Sequence, residues 1–97
     1  MVTRSDLPQP HLTVQVAHAA IAATNTFGSP YKTHPNLVVC AVPDEPALDR
    51  EFNRLKEEGC PVCAFYEEDL DNQLTAIATA PLVGAERKPL RKFKLLP

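Results

Sequence analysis

Residues 36–42 read Asn-Leu-Val-Val-Cys-Ala-Val, a continuous apolar run rich in β-branched side chains. Strict alternation would mark a strand wetted on one face, whereas an unbroken run is the pattern of a strand covered on both. A sheet covered on both sides needs a layer above and a layer below it. The run therefore constrains the chain to a layered α/β arrangement.

Proline and glycine punctuate the rest. Met1 to Arg4 reads as the end of a short strand, and Ser5 to Pro10 as a proline-rich loop that delivers the chain to a helix at about His11. That helix should stop near Phe27, where Gly28 is followed by Pro30, and Tyr31 to Pro35 should connect it to the apolar strand. Pro43-Asp44-Glu45-Pro46 opens a second helix, with Asp44 placed to cap its free amides. Ala47, Leu48, Phe52 and Leu55 form its inner stripe, and Gly59 ends it. A third strand is expected over Val62 to Tyr66, an acidic loop over Glu67 to Asn72, and a fourth strand over Leu74 to Ala80. Val83 to Leu96 is open: Pro89 interrupts any long helix, and Phe93, Leu95 and Leu96 could anchor the segment on the sheet. The order β-α-β-α-β-β predicts one α/β domain over residues 1–97, a four-stranded mixed sheet flanked by helices.

The first helix carries the feature that points to function. Residues 11–23 are apolar apart chiefly from His11, Gln15 and His18, which stand at i, i+4 and i+7 on one stripe. A helix packed over most of its surface that keeps two imidazoles and an amide in line is presenting them to something, because buried polar groups need partners. The two histidines are about 10 Å apart along the axis, too far to share one metal ion.

Composition narrows the class. No apolar stretch is long enough to span a membrane, and the first residues lack the layout of a signal peptide, which predicts an intracellular, cytoplasmic protein. Three cysteines are too few and odd in number for a disulfide scaffold. Cys60-Pro-Val-Cys63 follows a helix and enters a strand, whereas a redox pair needs its first thiol at a helix N-terminus. The net charge of −2 hides an asymmetry: Arg87, Lys88, Arg91, Lys92 and Lys94 are half of the ten basic residues, and all twelve acids precede them. Such a tail can bind phosphate or serve simply as a solvated segment.

Arg4-Ser-Asp-Leu7, then Gln15-Val-Ala-His18-Ala-Ala, then Val42-Pro-Asp-Glu45 resembles, in order and spacing, the signature of the peptidyl-tRNA hydrolase II family. The C-terminal half, with Asn72-Gln-Leu-Thr-Ala-Ile-Ala78 and Leu90-Arg-Lys-Phe-Lys-Leu95, looks closer still to the divergent peptidyl-tRNA hydrolase domain-containing branch. The resemblance implies a compact α/β fold and cofactor-free cleavage of the ester joining a peptide to tRNA. His18 and Gln15 match the helix signature, and Asp44 matches the acid after the proline. The family's Gly-Lys pair before the helix reads Pro10 and His11 here, its aspartate after the third strand falls on Glu68, and its following threonine on Asn72. A Gly-Ser-containing loop before the next strand is shortened away.

On this resemblance His18, Glu68 and Asp44 are the candidate catalytic groups. His11, Gln15, Asn72, Asp6, Arg91 and Lys92 are the candidate contacts to peptidyl-tRNA. No metal or other cofactor is implied, and the short first strand and apolar helix make a homodimer plausible. A member of the same fold that has lost catalysis and binds RNA or a protein is the alternative. A thiol or metal protein built on Cys60 and Cys63 is a third.

Overall fold

A computed structural model describes residues 1–28 and 36–96. The expected connecting loop, Tyr31 to Pro35, lies outside the described residues. Five strands form one mixed sheet in the order β3-β4-β1-β2-β5. They are β1 (Val2–Arg4), β2 (Cys40–Val42), β3 (Val62–Glu67), β4 (Gln73–Thr79) and β5 (Lys94–Leu95). The fifth strand is one more than expected; it arises in the open C-terminal segment, after a 3₁₀ helix over Gly84–Leu90 that accommodates Pro89. Strands β1 and β2 are parallel, joined through helix α1 (Gln9–Phe27), and the other pairings are antiparallel.

Successive strand residues face opposite sides of a sheet, and β4 shows which helix covers which side. Ile77 packs in one cluster with Leu48 and Leu55 of helix α2 (Glu45–Glu57), while Ala76 and Ala78 pack in another with Ala19 of α1. The two helices therefore lie on opposite faces. Small side chains on both partners let α1 settle close to the sheet, whereas α2 meets it through leucines and Phe52.

The strand buried on both sides is β4, in which Leu74 to Ala78 are all buried, and not the apolar run at 36–42. Only Cys40–Val42 of that run is a strand; Leu37 and Val38 are 64% and 53% exposed. Helix α1 also departs from expectation. It buries only Leu12, Gln15 and Ala19, and it leaves Val14 and Ile21 largely exposed although it carries no Asp, Glu, Lys or Arg. Among the described residues no helix is long and apolar enough to cross a membrane.

Between β3 and β4 the register jumps from Phe65 opposite Ala76 to Tyr66 opposite Leu74, so Thr75 is the extra residue of a β-bulge. A bulge turns a side chain that regular alternation would send the other way. Here it lets Leu74 and Ile77 share the α2 face while the fully buried Thr75 hydroxyl reaches Gln15 of α1.

Candidate functional site

The parallel strands β1 and β2 end on the same side of the molecule, where the chain turns into α1 and α2. Strand β3 also ends there and β4 begins there. Ligands of α/β sheets collect at such carboxyl ends, where loops and helix N-termini converge.

Gln15, 2% exposed, sits at the centre of this end. Its Nε2 donates to Glu67 Oε2 at 3.0 Å, and its Oε1 accepts from Thr75 Oγ1 at 2.8 Å. A carboxylate can only accept, so Glu67 fixes which end of the amide faces it, and the threonine hydroxyl must donate to the other. Thr75 is held in turn by Thr3, whose Oγ1 donates to the Thr75 carbonyl at 2.9 Å. The second Glu67 oxygen accepts the Asp69 amide at 3.3 Å. The Gln15 hydrogen bond, then that amide, hold the Glu67 carboxyl below the ordinary carboxylate range, with smaller pulls from His18 and His11.

His18 is exposed, and its ring lies nearly parallel to Phe65, with centroids 4.8 Å apart and planes at 11°. At about 100° per residue, His18 stands roughly 60° around α1 from Gln15, which takes it out of the packed face to the rim above β3. His11 is exposed on the same flank, nearer the helix N-terminus. No side chain caps that terminus, and its first turn holds no acid.

His11 and His18 are exposed along the flank of α1 beside the buried Gln15, and the carboxylate bonded to Gln15 is Glu67. Glu68 starts the 3₁₀ turn Glu68–Leu70 and is exposed. Alternation carries the reason: Cys63 and Phe65 pack on the α1 face, so counting by two reaches Glu67. Thr75 is hidden from the sequence because no residue pattern announces the bulge.

The other candidates are placed elsewhere or occupied. Asp44 accepts the Ala47 amide at 3.0 Å as the cap of α2, on the opposite face. Asp6 grips Arg4 through two bonds of 2.8 and 2.9 Å, and that hydrogen bonding lowers the Asp6 pKa and raises that of Arg4. Arg4 also donates to Gln73 Oε1 at 2.7 Å, so this buried guanidinium ties β1 to β4. Asn72 is exposed in the left-handed region, φ 60°, where its backbone shapes the turn into β4.

Arg91 and Lys92 lie in the turn that leads into the edge strand β5, at the far end of the strand order from β3. Lys92 is ion-paired with Glu51 at 2.6 Å. Burial pushes the Glu51 carboxyl up, but the hydrogen bonds from Lys92 and Arg54 outweigh it and leave it below the usual range.

Cys60 packs in the α2-side cluster and Cys63 in the α1-side cluster. Burial raises both thiol pKa values, the reverse of an activated pair. Among the described residues no group of three or more His, Cys, Asp or Glu is gathered that could hold a metal ion. An apolar cavity of about 610 Å³ opens at the other end of the sheet, between Ala20, Ala23, Ala78, Leu82 and Leu90, and among the described residues it gathers no acid–base pair.

No family model and no curated protein matches the chain. Among the solved structures similar in fold is a protein of unknown function, Atu0240, from Agrobacterium tumefaciens strain C58. It is 19% identical, with a TM-score of 0.53, and the match covers 99% of this chain and 94% of that one. Fold and site together define a small mixed-sheet α/β domain with a histidine–glutamine–glutamate cluster at the carboxyl ends of its parallel strands.

Proposed function

We propose that the chain is a peptidyl-tRNA hydrolase II-like protein that cleaves the ester between a peptide and tRNA. The observation that carries this reading is the Thr75–Gln15–Glu67 chain of hydrogen bonds beside His18, on the helix face that the family resemblance singles out. Ester hydrolysis needs a group to take a proton from water and a charge to stabilise the resulting cation. In this reading His18 is the base. Its ring nitrogens accept no hydrogen bond and donate none among the described residues, and Glu67 steadies the imidazolium. Gln15 positions Glu67, and the threonines position Gln15. His11, with the uncapped first turn of α1, stands about 10 Å along the helix, within reach of a phosphate of the same nucleotide chain.

The alternative of a non-catalytic RNA-binding module draws on one observation: the place of the family's lysine is held by His11, which lacks a permanent charge with which to stabilise an oxyanion. Release of free tRNA from peptidyl-tRNA by the purified protein separates the two. Turnover that His18→Ala reduces roughly a hundredfold or more supports the hydrolase, on the scale of general base catalysis. Absence of turnover from a folded protein that still binds tRNA moves the assignment to the module.

A further inference from the structure

We propose that the exposed face of His18 is a stacking shelf for an unpaired, amino-bearing nucleobase, with Glu67 receiving the base's amino group. The inference rests on the RNA substrate of the preceding reading and adds how that substrate is held. Phe65 lies under the imidazole at 4.8 Å and 11°, which fixes the ring as a platform while the ring's other face stays open. Val14 and Ile21, four residues before and three after His18, flank it with exposed apolar surface, 48% and 59% exposed. With no Asp, Glu, Lys or Arg on α1, the shelf suits a flat, neutral π-face.

The Glu67 carboxylate, pinned beside it by Gln15, is an acceptor only, and it repels a phosphate. It pairs with the exocyclic amine of adenine or cytosine and not with the carbonyl edge of uracil. A base within a duplex has both faces covered by its neighbours, so the shelf takes a base from a single-stranded segment. Stacking uses the face of the imidazole and leaves its in-plane nitrogens free for the proposed proton transfer.

The test compares binding of three single-stranded hexamers by the full chain: oligoadenylate, oligouridylate and an abasic strand with the same phosphates. Oligoadenylate is expected to bind roughly five- to a hundredfold tighter than the abasic strand, the range of one stacked base, with oligouridylate between them. His18→Ala and Phe65→Leu should each abolish that advantage, while His18→Phe, which keeps an aromatic face without a titratable nitrogen, should retain it. Equal binding of oligoadenylate and the abasic strand overturns the shelf. So does His18→Phe binding as weakly as His18→Ala with its fold intact by circular dichroism, or binding of an aromatic peptide in place of any RNA. The readouts also separate this inference from the hydrolase reading. Base-dependent binding without release of tRNA keeps the shelf and removes the hydrolase, and turnover with base-independent binding does the reverse.

Discussion

Gln15 shows how far a single residue can be read from sequence. An amide in an otherwise apolar helix must be satisfied, and the structure satisfies it at both ends, through Thr75 and Glu67. The partners are harder to read. Glu67 is available to a count by two along β3, but Thr75 depends on a bulge that no residue type marks. The pairing predicts a non-additive response. Gln15→Leu should cost about 1 kcal/mol, because the buried Thr75 hydroxyl loses its 2.8 Å acceptor and keeps only the longer bond to the Phe65 carbonyl at 3.4 Å. The double variant Gln15→Leu/Thr75→Val should cost less than the single one, since both ends of the bond are then apolar. Urea midpoints for the three proteins read the difference. Glu67 gives a prediction in pH. Its folded pKa lies below its ordinary value of 4.5, so its ionised form contributes stability above that value, and the contribution fades as pH falls through the depressed one. Melting temperatures between pH 5 and 3, a range set by ordinary carboxyl values, should fall less steeply for Glu67→Gln.

At the scale of elements, the helices are legible and the strands less so. Helix α2 announces itself through its proline, its cap and its leucine stripe, and each occurs where expected. The apolar run at 36–42 misleads because its length reflects side-chain type, while a strand persists only where a neighbour supplies hydrogen bonds. The ladder with β1 covers Cys40–Val42 and that with β5 Cys40–Ala41; before it, single bonds reach the Val39 carbonyl from Leu96 and the Val38 carbonyl from the Met1 amine, with no continuing ladder. The most buried strand, β4, is built largely from alanine and threonine, because α1 comes so close that larger side chains would not fit. The same view separates a structural carboxylate from the site. Asp44→Ala should lower stability by about 1 kcal/mol by removing the α2 cap, and should leave tRNA release per folded molecule unchanged. Abolished turnover in a folded Asp44→Ala protein would return that residue to the catalytic group.

Across the whole molecule the charges divide by place: the proposed site sits where α1 covers β3 and β4, while the basic segment leads into the edge strand β5, with Lys92 held by Glu51 of α2 on the opposite face. Within the tail Lys92 is engaged with Glu51, whereas Lys88, Arg91 and Lys94 are exposed and make no salt bridge among the described residues. A folded tRNA is large enough to touch both regions at once, so the hydrolase reading divides its affinity into two parts with different physics. Tail cations that neutralise phosphates displace counterions, and their contribution weakens as salt rises, while a base stacked on His18 displaces none. Replacing Lys88, Arg91 and Lys94 together by alanine should therefore make the slope of log affinity against log salt shallower by roughly 0.7–0.9 for each phosphate the tail no longer neutralises. His18→Ala should lower affinity at every salt concentration and leave the slope unchanged. Titrations of tRNA binding at four or five salt concentrations measure both. A slope unchanged by the triple replacement would make the tail a solvated anchor for β5 and confine recognition to the histidine face.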